Sequence, residues 1–278
     1  MDGAKTPGQG ACPGNPPPAE RDRGPQNSRS DLWGGLGGLE PGPGFRVDWE
    51  AGFPVLRAEV LQVPGLVHAF TTRHYPEDVR QDREALRALG FDPARVVEAE
   101  QVHGGLVACA DGAGGAVPGA DGLWTRRAGV VLRVRAADCL AVLLADPEAG
   151  CVAAVHAGWR GLAAGVLARA VRALREAGCD PPRLRCAAGP SIGPCCYEVD
   201  APVREALAAW PEAFSPGRAG HWQLDLRAVA RAQLRSEGVR PEHTAVCTAC
   251  TACETRWFYS YRREGKTGRL WALVSRAR

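Results

Sequence analysis

Between residues 130 and 155 the sequence passes through three short apolar segments that are separated by only a few polar or turn-forming residues. They are VVLRV at 130–134, LAVLLA at 140–145 and CVAAV at 151–155. Segments of this length that are rich in valine and leucine and end at turn residues are typical of strands buried within a sheet. Three of them in so short a stretch predict the central part of a β-sheet.

Helical spacing of apolar residues follows these strands. One predicted helix ends near Gly178 and places on one face Leu162, Val166, Leu167, Ala170, Val171 and Leu174. A second helix is predicted over 225–237, where apolar residues recur at helical intervals. Strands that alternate with helices predict an α/β fold, with α+β as the alternative, in which one or more mixed sheets are flanked by helices.

The chain divides into two parts by composition. Residues 1–44 are dominated by glycine, proline, alanine and polar residues, and they carry almost no periodic apolar pattern. Such a segment cannot offset the entropy cost of ordering, so we predict a disordered tail. No second linker and no internal repeat divides the remainder, which we interpret as one catalytic domain over 45–278.

Charge and hydropathy exclude several classes of partner. The formal net charge is only +3, and no lysine/arginine block with interleaved aromatic residues is present, so a nucleic-acid partner is not expected. No stretch approaches the ~20 apolar residues that span a bilayer, so no membrane partner is expected either. The N-terminal sequence lacks the features of a secretion signal, which favours the cytoplasm. The eleven cysteines are then interpreted as metal ligands or small core residues rather than disulfides.

Three segments each place a metal-type ligand beside the end of a predicted strand. They are QVHG with His103, ADCL with Cys139 and AVHAGWRG with His156. The separations of 36 and 17 residues are not those of a local zinc finger, so only the fold could bring the three side chains together. Spacing alone leaves each of them equally compatible with a packing role.

The sequences of these and other segments resemble those of the bacterial laccase-domain family. Its members are regarded as purine nucleoside phosphorylases and were once called polyphenol oxidoreductases. The resemblance runs from about residue 68 to about residue 274. It rests on FTTR (70–73), QVHG (101–104), GADGLWT (119–125), ADCLAVLLAD (137–146), AAVHAGWRG (153–161), GPSIGPCCYEV (189–199), LDL (224–226), CTAC (250–253) and SYRR (260–263).

The resemblance implies that His103, Cys139 and His156 bind Zn²⁺. Two imidazoles and one thiolate leave an open position, as in catalytic zinc sites, and suit zinc better than copper. A zinc ion in such a site can activate water for deamination of adenosine, or stabilise charge during glycosidic-bond cleavage by phosphate. The implied substrates are inorganic phosphate and purine nucleosides, with adenosine, inosine and methylthioadenosine left unranked. The sequence leaves open whether the protein is a monomer or a homodimer.

Two arginines are candidates for binding phosphate. Arg160 lies in the glycine-flanked turn before the predicted helix, where free backbone amides favour an anion. Arg73 ends the FTTR segment and matches a functional arginine of the family, and a guanidinium can contact phosphate with two hydrogen bonds. A structural ion pair is the alternative for either residue.

Asp138, beside Cys139, is a candidate to hydrogen-bond a zinc-binding imidazole or to accept protons in the reaction. Strand alternation would point the side chains of 138 and 139 to opposite faces unless the strand ends there. Gln101 and Asp121 match family positions and are interpreted as supporting residues. The pair Cys195–Cys196 lies in a turn-rich segment that we interpret as a packed loop near the pocket, with a redox role as the alternative.

Four other interpretations remain open. The CTACTAC run, with Cys247, Cys250 and Cys253, has the spacing of an iron–sulfur or zinc site but lacks a suitably spaced fourth cysteine after it, which favours structural thiols. A true laccase needs more imidazoles than six histidines provide. Cys139 could instead be the nucleophile of a hydrolase with His156 as base. A decayed nucleotide-binding protein is the last alternative, because the segment after Arg73 is shorter than the family's usual Gly-Gly-Val-Ser and Asn-Leu-Gly elements.

Overall fold

A computed structural model of the chain describes residues 38–49, 51–76, 79–112 and 114–278. The predicted tail lies outside the described residues as far as residue 37. Its last part, 38–44, is described and contacts the folded part of the chain. The amide of Thr248 donates to the carbonyl of Pro41 at 2.9 Å, and the amide of Glu59 donates to the carbonyl of Gly44 at 2.8 Å. These last residues of the segment are therefore hydrogen-bonded to the domain.

The described residues form short strands and helices that alternate along the chain. The strands are β1 (Phe45–Asp48), β2 (Val55–Ala58), β3 (Leu66–Thr71), β4 (Val96–Glu100), β5 (Val107–Cys109), β6 (Gly115–Pro118), β7 (Gly122–Thr125), β8 (Val131–Ala136), β9 (Leu140–Asp146), β10 (Cys151–Ala157), β11 (Arg185–Ala188), β12 (Glu198–Val199), β13 (Phe214–Pro216), β14 (Trp222–Leu224), β15 (Thr244–Val246) and β16 (Leu270–Arg276). The helices are α1 (Val79–Ala88), α2 (Trp159–Ala163), α3 (Val166–Glu176), α4 (Ala201–Ala206), α5 (Leu226–Ser236) and α6 (Tyr261–Glu264).

Two large sheets and one small sheet organise these strands. The first sheet has the order β1-β2-β3-β16-β8-β4-β6, the second β15-β11-β9-β10-β7-β5, and the small one β12-β14-β13. Most neighbouring strands are antiparallel. However, β4 runs parallel to both β6 and β8, β5 runs parallel to β7, and β11 runs parallel to β15. Both large sheets are therefore mixed.

The two large sheets pack face to face, and helices cover their outer faces. Leu132 of the first sheet and Leu143 of the second share one buried cluster. On the opposite face of the second sheet, Leu144 packs in a cluster with Val171 of α3 and with residues of α5. On the outer face of the first sheet, Leu86 of α1 packs in a third cluster. Burying each such side chain stabilises the fold by ~1.5–3 kcal/mol relative to its exposure to water.

This layered arrangement confirms the predicted α/β fold with mixed sheets flanked by helices. All seven residues of β9 and all seven of β10 are buried. Both strands are covered on one face by the first sheet and on the other by α3 and α5. The second predicted helix, 225–237, is confirmed as α5, and the Asp225 side chain caps its first turn by accepting from the amide of Arg227.

The other helix prediction, a single helix through 162–174, was wrong in one respect. The chain forms two helices, α2 and α3, because Gly165 between them adopts a left-handed conformation with φ of 71°. A residue with a side chain adopts this conformation only at a cost, whereas glycine does not. As a result, Arg160 lies in the first turn of the short helix α2, and His156 and Gly158 come just before that helix.

Candidate functional site

The three predicted metal ligands meet at one end of the paired strands of the second sheet. His103 lies in the loop after β4, Cys139 in the turn between β8 and β9, and His156 near the end of β10. One ligand atom from each lies within 4.8 Å of the ligand atoms of the other two. The register that pairs His156 with Ala141 places the histidine beside the turn that holds Cys139. The fold thus brings together three residues that are distant in sequence.

Asp121 holds two of these ligands in place. Its Oδ1 accepts from the backbone amide of His103 at 2.9 Å and lies 2.8 Å from Nδ1 of His156. Its Oδ2 accepts from the amides of Gly104 and Val102 at 2.6 and 3.2 Å. Because a carboxylate only accepts, Nδ1 of His156 carries a proton, and Nε2 is the nitrogen that can bind a metal ion once it has given up any proton of its own. Asp121 is completely buried, so this arrangement is shielded from water.

The backbone is strained at two positions of the site. Among the described residues, His103 and Asp138 are the non-glycine residues with positive φ, at 62° and 86°. Left-handed conformations cost ~1–2 kcal/mol for residues with a side chain and persist only where the surroundings enforce them. At Asp138 the enforcing contacts are the Thr251 hydroxyl and the Arg262 amide, which donate to its two carboxylate oxygens at 2.6 Å each.

The predicted alternation between residues 138 and 139 does not apply, because β8 ends at Ala136 and both residues lie in a turn. The carboxylate that is hydrogen-bonded to the ring of His156 belongs to Asp121. Asp138 instead lines the adjacent cavity and accepts from the backbone amide of Arg262. The hydrogen bond to an imidazole that the sequence suggested for Asp138 is thus made by Asp121, which the sequence identified only as a supporting residue.

The ionisation of the three groups favours a thiolate beside imidazoles. Burial alone would raise the pKa of Cys139, but hydrogen bonds from His103 and His156 outweigh it and lower the pKa to about 6. Burial would lower the pKa of His156, yet its bonds to Asp121 and Cys139 raise it to about 9. For Asp121, burial is again outweighed, here by the bonds from His156 and Gly104, and its pKa is lowered. The site therefore stabilises negative charge on the sulfur.

The donor set fits a single divalent ion. Two imidazole nitrogens and one thiolate that converge from three sides form the ligand type of catalytic zinc sites, with room for a substrate atom. Gly158 leaves the space that this convergence needs, because a Cβ at this position would lie 2.9 Å from the sulfur of Cys139 and 3.5 Å from the ring of His103.

A cavity of about 660 Å³ opens over the three ligands. This volume is within the range of ~300–1,000 Å³ that is usual for small-molecule sites. Its wall is polar and aromatic, and its arginines are Arg135, Arg160, Arg262 and Arg269. Among the described residues none of these four arginines is in an ion pair with a carboxylate. The cavity is therefore positively charged apart from Asp138 and the Cys139 thiolate.

Three of the four arginines of the wall are placed by local contacts. Arg160 stacks on Trp159 with 4.3 Å between guanidinium carbon and ring centre, and Arg262 stacks on Tyr197 at 5.0 Å. Arg135 is fixed through its backbone, because the Gln101 side chain donates to its carbonyl at 2.7 Å and accepts from its amide at 2.8 Å. Gln101, which the sequence suggested as a supporting residue, thus contacts the backbone of a wall arginine.

Arg73 is not among the residues that line the cavity. Its guanidinium is 3.1 Å from the carboxylate of Glu264, donates to the carbonyl of Thr255, and lies 4.8 Å from the ring centre of Tyr259. These contacts favour the structural ion pair over the phosphate-binding role. Sequence reasoning instead missed Arg135, Arg262 and Arg269 as wall residues, although Arg262 lies in the SYRR segment that it had singled out.

Comparisons with known proteins agree with this geometry. Residues 64–277 match the family described as "Multi-copper polyphenol oxidoreductase laccase". A Streptomyces coelicolor protein named purine nucleoside phosphorylase is 44% identical over 204 residues, which cover 72% of this chain and 83% of that protein. Purine nucleoside phosphorylase YlmD of Geobacillus stearothermophilus is 40% identical over 216 residues, 72% of this chain and 79% of that one.

Solved structures of two similar proteins have the same fold as this chain. The crystal structure of YlmD from Geobacillus stearothermophilus superposes with a TM-score of 0.73 at 34% identity, covering 81% of this chain and 96% of that one. A Bacillus licheniformis protein, YfiH, superposes with a TM-score of 0.75 at 29% identity over 84% of this chain and 99% of that one.

Among the helices of the described residues, none combines the length and the apolar character that a membrane span requires.

Proposed function

The chain belongs to the multi-copper polyphenol oxidoreductase laccase family, and from this premise we propose that it is a zinc-dependent purine nucleoside phosphorylase, the activity named in its relatives. The observation that carries the proposal is one cavity with a thiolate–imidazole cluster at its floor and four arginines in its wall. The floor suits a metal ion and the wall suits an anion. A phosphorolytic enzyme needs phosphate and a nucleoside side by side, and both can bind in this cavity.

His103, Cys139 and His156 would hold the zinc ion, and Asp121 would orient the imidazole of His156 and hold the backbone of His103. When bound, such an ion supplies a Lewis acid that polarises substrate oxygens and stabilises developing negative charge. Adenosine deamination, the second activity implied by the family resemblance, would use the same three side chains. The ligand set itself favours zinc, because two nitrogens and one sulfur form a borderline-soft set.

The arginines would bind and orient phosphate. The guanidinium groups of Arg160 and Arg262 are each stacked on an aromatic ring, so little conformational freedom is lost when they contact an anion. Phosphorolysis joins a phosphate oxygen to the ribose anomeric carbon as the bond from that carbon to the purine nitrogen breaks. Positioning the attacking oxygen close to that carbon is the contribution of the arginine wall.

The departing purine must be stabilised as it takes up the electron pair of the broken bond. Tyr197 lines the cavity, and burial, followed by the charge of Cys139, raises the pKa of its hydroxyl. The hydroxyl therefore stays protonated at neutral pH and can donate a hydrogen bond to a ring nitrogen of the leaving base. Trp159 supplies an aromatic surface against which a purine can stack.

Multicopper oxidase chemistry is disfavoured by where the histidines lie. Only His103 and His156 belong to a cluster of metal-type ligands among the described residues. The other four make contacts elsewhere, mainly with backbone groups or an arginine side chain, and they are His68, His74, His221 and His243. Blue-copper and trinuclear sites need many more imidazoles in one place.

The test is release of hypoxanthine from inosine, with and without phosphate, and release of ammonia from adenosine. We expect base release to require phosphate. Arg160→Gln should raise the KM for phosphate by ~10–100-fold, the equivalent of one charge-assisted contact of ~1.5–3 kcal/mol. Arg172→Gln, which removes an exposed arginine paired with Glu237, is the matched control and should leave the KM unchanged. Base release that does not depend on phosphate, or an unchanged KM in Arg160→Gln, would contradict the proposal.

Metal content separates this proposal from the hydrolase alternative, in which Cys139 attacks the substrate. We expect His103→Ala to lose zinc from this site and turnover together. A protein that is active without bound metal, and that is inactivated by alkylation of Cys139, would instead indicate a cysteine nucleophile, because a metal-bound thiolate is not available to attack.

A further inference from the structure

Four cysteines from two distant segments converge beside the cavity. Cys195 and Cys196 come from the loop between β11 and β12, and Cys250 and Cys253 come from the loop after β15. All four sulfur atoms lie within 4.8 Å of one another. The sulfur of Cys253 is 3.5 Å from that of Cys195 and 3.5 Å from that of Cys196. This four-thiol cluster is separate from the thiolate–imidazole cluster and shares no residue with it.

The spacing of the sulfurs matches the coordination shell of one ion. Four thiolates at 2.3 Å from a tetrahedral zinc ion lie ~3.8 Å from one another, close to the observed separations. A disulfide would require two sulfurs at ~2.05 Å, much closer than the 3.5 Å seen here. An iron–sulfur cluster distributes its cysteines over several irons, which would spread the sulfurs further apart than a single ion does.

The backbone turns around the cysteines have the form that a chelating loop needs. The amides of Cys253 and Glu254 donate to the carbonyl of Cys250 at 3.1 and 2.9 Å, which closes a tight turn between the two sulfurs of that segment. In the other segment, the amide of Cys196 donates to the carbonyl of Gly193 at 3.0 Å. The amide of Gly193 also donates to the sulfur of Cys250 at 3.2 Å, which links the two segments.

The four sulfur atoms are crowded together, and the backbone leaves the space for them. Gly193 leaves the room that the cluster occupies, since a Cβ at that position would be 3.3 Å from the sulfur of Cys195.

We propose that Cys195, Cys196, Cys250 and Cys253 bind a second zinc ion with a structural role. Four thiolates in a closed tetrahedron are the ligand set of structural zinc, with no open position for a substrate. The ion ties together loops that are 58 residues apart between Cys195 and Cys253.

The position of the cluster explains how it would act on the cavity. Tyr197, a wall residue, directly follows Cys196, and Thr251, which donates to the carboxylate of Asp138 at 2.6 Å, directly follows Cys250. Fixing the four sulfurs therefore fixes both the tyrosine wall and the strained turn that presents Cys139. The second zinc ion is a clamp on the wall of the site and takes no part in the reaction itself.

The experiment is metal analysis of purified full-length protein by mass spectrometry, combined with zinc X-ray absorption spectroscopy. We expect about two zinc ions per chain. His103→Ala should retain about one, and its spectrum should show only sulfur neighbours at ~2.3 Å. The double variant Cys195→Ser/Cys253→Ser should lose that sulfur-only ion. Cys109→Ser, an exposed cysteine outside both clusters, is the matched control and should keep both.

The His103→Ala protein decides the question even if the double cysteine variant does not fold, because it leaves all four thiols intact. Folded His103→Ala protein without zinc would overturn the proposal, as would nitrogen neighbours in its zinc spectrum. Iron with visible charge-transfer bands, or disulfides between these cysteines in protein purified under reducing conditions, would also overturn it. Failure of the phosphorylase assay bears only on the proposed function, because none of these measurements depends on turnover.

Discussion

Asp121→Asn tests the role of the carboxylate that orients the metal-type ligands. The substitution keeps the shape of the side chain but replaces one oxygen by an NH2 group that can only donate. With the NH2 at the position of Oδ2, it faces the amides of Val102 and Gly104, which are also donors. Two charge-assisted hydrogen bonds are then lost at ~1.5–3 kcal/mol each, so the free energy of unfolding should fall by ~3–6 kcal/mol.

The other orientation of the amide damages the ligand instead. With the NH2 at the position of Oδ1, it donates to Nδ1 of His156, and the ring must then carry its proton on Nε2. A protonated Nε2 has no lone pair for a metal ion. Whichever orientation dominates, we expect the affinity of the site for zinc to fall by ~10–100-fold, the usual effect of losing a group that orients a metal ligand.

The assay for Asp121→Asn is zinc affinity at the thiolate–imidazole cluster by competition with a chelator, together with urea unfolding. Asp146→Asn is the matched control. Asp146 is also completely buried and accepts from the amides of Glu148, Ala149 and Asp180 at 3.0, 3.0 and 3.2 Å, but it lies outside the cavity wall. It should lose stability and keep its zinc affinity. Equal zinc affinity in Asp121→Asn and the wild-type protein would refute the reasoning.

Three further predictions concern other parts of the molecule. Gly158→Ala places a Cβ 2.9 Å from the sulfur of Cys139, so zinc binding should weaken while the circular dichroism spectrum stays unchanged; undiminished zinc affinity would show that the turn can shift at no cost. Arg73→Ala removes a partly exposed ion pair with Glu264, a hydrogen bond to the carbonyl of Thr255 and a contact with the ring of Tyr259, so the free energy of unfolding should fall by ~1–3 kcal/mol while the KM for phosphate stays constant; a raised KM would return Arg73 to the phosphate site. Burial, helped by a neighbouring arginine charge, lowers the pKa of His68 from 6.5 to about 3. The folded protein therefore keeps this ring neutral, and the stability it contributes is present above pH 6.5 and lost as the pH falls towards 3, by up to ~1.4 kcal/mol per pH unit. Urea titrations at a series of pH values should show this loss and a shallower one in His68→Gln, and equal slopes in the two proteins would contradict it.

The sequence predicted the elements of the fold where the apolar pattern is strong. VVLRV, LAVLLA and CVAAV correspond to β8, β9 and β10, since buried strands in a layered fold need continuous apolar residues. The break between α2 and α3 was missed, because a glycine within an apolar helical pattern does not reveal its backbone angle. Gly165 interrupts the helix through a left-handed conformation that only the structure specifies.

The sequence named the three side chains at the centre of the candidate site, but only part of the cavity wall. His103, Cys139 and His156 were identified through the family resemblance, and the structure brings them within reach of one ion. The ion pair of Arg73 with Glu264 and the hydrogen bond between Asp121 and His156 could not be read from the sequence. Both depend on which distant residues the fold brings together, and local sequence does not show that. The sequence likewise showed no suitably spaced fourth cysteine after the CTAC segment. Cys195, which lies 58 residues before Cys253 in the chain, is its neighbour in space.

What the sequence determined by itself was the type of the strongly patterned elements and the chemistry of the side chains available, because both depend on local pattern and residue identity. The tertiary structure decided which of those side chains share one volume. Strand pairing placed His156 beside the turn of Cys139, and loop packing joined two pairs of cysteines that are 57 or 58 residues apart at their closest sulfurs. Distances across such gaps depend on the whole set of packed layers, and no local pattern in the chain encodes them.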